Sequence, residues 1–301
     1  MARPAPTSPA ALSIDAELAR LLRHGPVAAR VESVFARVIN LLTSDDQLVS
    51  LCVRRLDDAP WSVRVDVEEW NRAAIRIGVP VTLDSAGIAF GGTRPSLAVT
   101  LDAPHEWHAK SVPLRLTGPK LAARADALDA LTRADRTPSA NAFEAAMATA
   151  LRRGQDAIHH AVRADDRPGT SAAVEQLLGL GPGLTPSGDD FLTGLALLAA
   201  QPGSRMPGYL AAVRDVLERL PDRTTLLSRT TLVEALRGRA RQSLLDVLHP
   251  LLDPAEVTAA DLSPRLRPPV DRVLAIGHTS GADLLSGLLA GLRLEAELKQ
   301  N

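Results

Sequence analysis

The chemistry-bearing residues of this chain gather in two short stretches about ninety residues apart. Residues 179–194 read GLGPGLTPSGDDFLTG, and residues 277–291 read GHTSGADLLSGLLAG. Aligned, they share Ser187/Ser280, Gly188/Gly281, Asp190/Asp283, Leu192/Leu285, Gly194/Gly287 and Leu195/Leu288. Each copy is a glycine turn, a serine, an aspartate three residues later, and then a leucine-rich run with helical spacing. Two readings follow. Ser at a helix start with Asp three residues on is a near relative of the capping box, and acidic first turns suit the helix dipole. Alternatively, the duplication sets two polar helix starts face to face and builds a site.

The first stretch has more glycine than a cap needs. Gly181, Gly183 and Gly188, with Thr185 and Ser187, make a turn that exposes peptide N–H groups to a ligand. Gly183 and Gly188 have the glycine spacing of a nucleotide phosphate loop, but Asp189-Asp190 stand where that loop carries Lys-Ser/Thr. A carboxylate about 4 Å from a phosphate oxygen is repelled by about 4 kcal/mol at an effective dielectric of about 20, more than one helix dipole returns. The charges at this position therefore argue against a bare nucleotide loop.

Two other occupants fit. A hard cation such as Mg²⁺ could bridge Asp189, Asp190 or Asp283 to an anionic substrate. Otherwise Asp190 and Asp283 serve as caps, while backbone amides and the hydroxyls of Thr185, Ser187, Thr279 and Ser280 hold a neutral or carboxylate-bearing ligand. Residue types and spacing leave both open. Gly181, Gly183, Thr185, Ser187, Gly188, Ser228, Thr279, Ser280 and Gly281 are the candidate ligand-binding residues. Asp190, Asp283 and His278 are the candidate catalytic ones.

His278 precedes the second turn and is the best placed of the seven histidines for acid–base work, with a plain hydrogen-bonded structural role as the alternative. His159-His160 read as surface residues on a helix, and His105 and His108 flank Trp107 in a loop. Ser228-Arg229-Thr230, within RTTLLSRTTL, is superficially similar to the Ser-x-Arg-Thr phosphate motif of carbamoyltransferases but lacks its intervening residue. That motif ends a strand of a parallel sheet, and no such sheet is expected here, so the match carries little weight. Thr224, Thr225 and Ser228 nevertheless make a polar helix face. HExxH, CxxC and GxSxG do not occur, which removes the commonest zinc-protease, redox and serine-hydrolase readings.

The elements that must position these residues fall into two textures. From about Val38 to Leu116 the chain is β-branched and strand-like, with segments at 47–56, 61–67, 79–83, 87–90, 96–101 and 111–116 separated by Asp, Gly and Pro. A helix over 12–23 precedes them. Beyond Pro119 the chain is alanine-rich, with helices expected at 120–134, 140–164, 171–179, 189–200, 206–220, 224–237, 241–249 and 283–298. The expected fold is α+β: a leader and helix over 1–30, a small antiparallel sheet or barrel over 31–118, and an α-helical domain over 119–301 carrying both Ser-Gly-x-Asp motifs.

Composition sets outer bounds. The 34 basic and 35 acidic residues nearly cancel, so no global field recruits nucleic acid or a membrane surface. Cys52 is the single cysteine; it excludes an internal disulfide and a cysteine-based zinc site, and its apolar surroundings read as a buried small hydrophobe. MARPAPTSPAALSI lacks the apolar core of a signal peptide, and the apolar run at Leu195–Ala200 falls short of a membrane span. A cytoplasmic location is the expectation.

GLGPGLTPSGDDFLTG, followed by TTLLS and GHTSGADLLSG, resembles a bacterial domain-of-unknown-function family that includes AllH, a subunit of oxamate carbamoyltransferase. The resemblance extends to the Pro60-Trp61 and Glu106-Trp107 segments and covers most of the chain. It implies a role in ureide nitrogen metabolism, with a carbamoyl group passing between carbamoyl phosphate and oxamate in the company of partner subunits. It marks Gly181, Gly183, Thr185, Ser187, Gly188, Asp189, Asp190, Ser228, His278, Ser280, Gly281 and Asp283 as motif positions without assigning their roles. The expected function is an enzyme or enzyme subunit acting on a small carboxylate or carbamoyl metabolite. The alternatives are a non-catalytic partner or ligand-binding subunit and, third, a metal-dependent hydrolase.

Overall fold

A computed structural model describes residues 8–70, 75–91, 97–133, 141–255 and 259–300. The chain divides into two compact units, Met1–Ala109 and Lys110–Asn301.

The first unit is a single sheet. Its strands are β1 (Ala11–Asp15), β2 (Val27–Val34), β3 (Val38–Thr43), β4 (Leu48–Val53), β5 (Ser62–Val65), β6 (Pro80–Leu83), β7 (Gly87–Phe90), β8 (Ala98–Thr100) and β9 (His105–Trp107). They lie in the order β8-β7-β6-β2-β3-β4-β5-β1-β9. The pairings are antiparallel except β4 with β5 and β1 with β9, which are parallel. The sheet curls until β8 returns to the start of β1: Thr100 bridges Ala10, and its N–H donates to the Pro9 carbonyl at 3.0 Å. The enclosed face holds Val31, Ile39, Leu41, Val49, Leu51, Val63, Val65, Val81, Leu83 and Ile88. In β6 and β7 buried and outward residues alternate, as a half-solvated strand requires. Trp70 enters this core while its indole N–H donates to the Leu51 carbonyl at 3.1 Å. Cys52 is buried, as expected.

Three expectations for this part of the chain need correction. The helix expected over 12–23 begins only at α1 (Ala16–Arg23), and the residues before it form β1. There Ser13 is fully buried and its hydroxyl bonds to Asp58, a tertiary contact that overrides local helical spacing. The segment around Trp107, expected as a loop, pairs with β1 as β9. The strand expected over 111–116 belongs to the second unit and joins no sheet. Its backbone is satisfied by other partners: Val112 N–H donates to Gln201 Oε1 at 2.8 Å, and Leu114 N–H to the Pro202 carbonyl at 2.8 Å. Ser96, the first residue of another expected strand, lies outside the described residues.

The second unit is helical: α2 (Gly118–Arg133), α3 (Ala142–Arg163), α4 (Arg167–Leu177), α5 (Ser187–Ala199), α6 (Pro207–Arg219), α7 (Leu226–Ala235), α8 (Gln242–Leu252), α9 (Ala259–Leu274) and α10 (Ser280–Leu298). Residues 134 and 140, expected at helix ends, lie outside the described residues. Helix α9 was not expected because it contains Pro264, Pro268 and Pro269. Its stripe of Leu262, Leu266, Val270 and Val273, all at most 1% exposed, outweighs the helix-breaking tendency.

Helix α5 is the centre of this unit, with every residue after Ser187 buried. It packs on α10 through paired glycines. A Cβ on Gly194 would collide with the Leu284 carbonyl oxygen and stand 2.9 Å from Leu288 N. A Cβ on Gly287 would collide with the Phe191 carbonyl oxygen and stand 2.8 Å from Leu195 N. Gly194 and Gly287 are equivalent in the repeat, as are Phe191 and Leu284, and Leu195 and Leu288. The two contacts are therefore one contact seen twice, as a local twofold relation between the copies demands. Among the described residues no helix is long and apolar enough to cross a membrane.

Candidate functional site

Each copy of the repeat is a helix, a glycine-bearing turn and a second helix: α4 to α5, and α9 to α10. The turns are tight against the preceding helix. Gly188 N–H donates to the Leu180 carbonyl at 2.8 Å and Gly281 N–H to the Ile276 carbonyl at 3.1 Å. Any side chain on Gly188 or Gly281 would meet the carbonyl oxygen of Leu177 or Val273, respectively. This anchoring sets where α5 and α10 begin.

The capping reading does not hold for either serine. The N-cap positions are Pro186 and Thr279, and neither makes a side-chain cap bond. Ser187 and Ser280 are the first residues of their helices, and their hydroxyls serve the opposite copy. The Ser280 hydroxyl acts on the carboxyl of Asp190, and that of Ser187 on the carboxyl of Asp283, each favouring the ionised form. Two crossed Ser–Asp pairs thus stand at the helix starts. Thr185 and Ser280 share a hydrogen bond of 2.8 Å beside Asp190, and Thr279 acts on Asp283.

Asp190 is 4% exposed and Asp283 is half-buried. Burial pushes Asp190 up to about 8, against the serine and threonine hydroxyls that hold it down; the nearby Asp283 and Asp189 carboxyls push it further. Burial raises Asp283 to about 6, partly offset by Ser187 and Thr279. Two interacting carboxyls titrating in this range behave as a pair that keeps one proton near neutral pH. One oxygen of each, Oδ2 of Asp190 and Oδ2 of Asp283, is buried and has no hydrogen-bond partner. The arrangement offers one proton, one negative charge and two idle acceptors.

Asp189 has a different role although it is the adjacent residue. Successive helical residues point about 100° apart, and Asp189 faces different partners from Asp190. Asp189 is fully buried; it accepts the Gly179 N–H at 2.7 Å on one oxygen and the Thr224 hydroxyl on the other, and Ser228 also bonds to it. It fastens the end of α4 and the entry to α7 onto α5. Ser228 accordingly stands with Asp189 and not with the crossed pairs. Thr225 caps α7 and donates to the Leu184 carbonyl at 2.6 Å. Thr224, to which no role was assigned from sequence, belongs to this bracket; the polar face of Thr224, Thr225 and Ser228 was its signal.

The remaining candidates lie at the rim. His278 is exposed on the turn before α10, and Gly183 is exposed with open space around it. Gly181 has a positive φ of 123° and adjoins the Ser187 backbone. For Mg²⁺, the geometry is plain: among the described residues no three His, Cys, Asp or Glu side chains converge as a metal-holding group.

These features define an α+β protein whose helical unit duplicates a helix–turn–helix around paired carboxyls. Residues 10–106 match the family described as the AllH family N-terminal domain, and residues 177–292 match the family described as oxamate carbamoyltransferase subunit AllH. The chain belongs to the AllH family. The second match runs from the last residue of α4 into α10 and encloses both Ser-Gly-x-Asp helix starts. That family is named as a subunit, which implies partner subunits. No solved structure matches the chain.

Proposed function

We propose that this chain carries a working site of a carbamoyl-transferring enzyme, in which the Asp190–Asp283 pair manages the proton of the reaction on a small carboxylate or carbamoyl metabolite. The observation that carries the reading is the crossed pairing of Ser280 with Asp190 and Ser187 with Asp283. It brings two carboxyls together with no basic side chain acting on either, an arrangement that costs stability and has no use in capping.

Carbamoyl transfer to an amide nitrogen forms an N–C bond, breaks the bond between the carbamoyl carbon and its leaving group, and releases one N–H proton. The ionised carboxyl of the pair is suited to take that proton, and the protonated one to return a proton to the leaving group. Ser187, Ser280, Thr185 and Thr279 orient the two carboxyls, while the glycine turns admit the ligand's backbone-facing side. The substrate implied by the family name is oxamate with a carbamoyl donor, and ureide nitrogen metabolism is the setting that fits it.

The test is the reconstituted assembly, chain plus partner subunits, assayed for carbamoyl transfer from carbamoyl phosphate to oxamate. Asp190→Asn and Asp283→Asn should each lower kcat by about 100-fold or more, the usual worth of a positioned acid or base. Activity within threefold of the parent in both variants refutes this role and favours the alternative, a non-catalytic subunit. That alternative draws on the exposed Pro182, Gly183 and Leu184 lip, where Leu184 is 53% exposed.

A further inference from the structure

We infer that Asp190 and Asp283 together receive an uncharged NH₂ group of the ligand, and that this position rejects phosphate and carboxylate. The inference rests on the functional reading above and assigns to the pair one particular end of the substrate.

Three observations lead to it. First, Asp190 Oδ2 and Asp283 Oδ2 are buried without partners, and Asp190 as a residue is 4% exposed. Buried acceptors of this kind call for a donor. Second, the hydroxyls around the pair face its carboxyls: Thr185 and Ser280, which share a hydrogen bond, act on Asp190, and Ser187 and Thr279 act on Asp283. Beyond the one retained proton, what remains on offer is acceptance and negative charge, which an anion meets unfavourably. Third, the charged groups that act on Asp190 are Asp283 on α10 and Asp189 on α5, both acidic.

The two idle oxygens come one from each copy of the repeat. A planar NH₂ carries two N–H bonds on one nitrogen and can give one to each copy. Because burial leaves the pair with one proton near neutral pH, a neutral donor suits it better than a dication, which would have to expel that proton. Divalent-ion binding also lacks a third carboxylate or imidazole among the described residues.

Oxamate and oxalate make a sharp comparison, since they differ only in NH₂ against O⁻ at one end. Calorimetric titration of the full chain at pH 7 should give oxamate an affinity at least tenfold above that of oxalate or inorganic phosphate. Ammonium and Mg²⁺ should fail to displace it. Asp283→Asn, at the half-buried position, and Asp190→Asn should each weaken oxamate at least tenfold, with circular dichroism confirming that the variants are folded.

Equal or tighter binding of oxalate or phosphate would overturn the inference, as would unchanged oxamate affinity in both variants. Absence of oxamate binding by the parent chain, or its displacement by ammonium or Mg²⁺, would do the same. The preceding reading fails separately: loss of its proton-transfer role leaves the oxamate preference intact, whereas an oxalate-tolerant site could still be catalytic.

Discussion

Substitution of Gly194 by alanine tests the contact on which the whole site depends. In an isolated helix the change would be favourable by about 1 kcal/mol, because alanine is the best helix former and glycine among the worst. Here the new methyl would meet two backbone atoms of α10, the Leu284 carbonyl oxygen and, at 2.9 Å, Leu288 N. Neither can rotate aside. To bring Leu288 N out to ordinary contact at 3.4 Å, the helices must separate by at least the difference of 0.5 Å, and the Leu284 oxygen demands more. Overpacking of this kind costs about 3 kcal/mol at the upper end of its range. Against the propensity gain, the net expected loss is about 2 kcal/mol. Gly287→Ala should lose a similar amount, since it makes the same contact from the other side. The double variant should lose less than the sum, because separation forced by one methyl makes room for the second; coupling of this sign between touching residues reaches about 1 kcal/mol. Urea unfolding followed by far-ultraviolet circular dichroism reads all three values as midpoint shifts at constant slope. A neutral or stabilised Gly194→Ala would mean that propensity alone decides, and that α5 and α10 do not approach through their glycines.

Two further outcomes follow from the aspartates. Asp190 holds its proton more tightly folded, up to about 8, than in the unfolded chain near 3.8, so the folded state binds the extra proton between those values. Stability should therefore fall as pH rises from about 4 towards about 8, by as much as about 1.4 kcal/mol per pH unit where the proton difference is complete. Asp190→Asn should remove the fall between about 6 and about 8 and leave only the share that Asp283, raised to about 6, contributes below it; parallel stability–pH curves for parent and variant would refute the assignment. Asp189→Ala should cost about 3 kcal/mol by stranding the Gly179 N–H and the Thr224 hydroxyl in a buried position; a thermal midpoint within 1 °C of the parent would contradict the bracket.

Much of the site could be read from residue order alone, because the repeat is a pattern of types at fixed spacing. Ser187, Ser280, Asp190 and Asp283 were marked by their alignment, and the β-rich and helical halves by their periodicities. What residue order could not show was the crossing, in which each serine serves the other copy's aspartate. That depends on how two helices about eighty residues apart in the chain are packed. The division of labour between Asp189 and Asp190 was hidden for a related reason: it turns on about 100° of helical rotation relative to neighbours not yet placed. β1 escaped because a buried Ser13–Asp58 bond outweighs helical spacing. α9 escaped because its prolines argue locally against a helix that its buried stripe stabilises globally.

The duplication also explains how so unfavourable an arrangement of charge can persist. One Ser-Gly-x-Asp helix start is cheap: a single carboxylate at a helix N-terminus gains from the dipole. Two of them pressed together do not, since each carboxyl loses water and faces the other. The force that holds them there lies one turn deeper. Phe191, Leu192, Leu195, Leu285, Leu288 and Leu292 are each at most 1% exposed, and burial of such a side chain is worth about 2 kcal/mol. Glycines at 194 and 287 let those side chains close over the helix crossing, and the aspartates four residues before them have no freedom to separate. Apolar packing thus sets the distance between two groups that would repel if both were ionised, and the retained proton is the consequence. A ligand that donates to both idle oxygens would relieve the remaining cost, so affinity at this site is supplied in advance by the folding of α5 against α10.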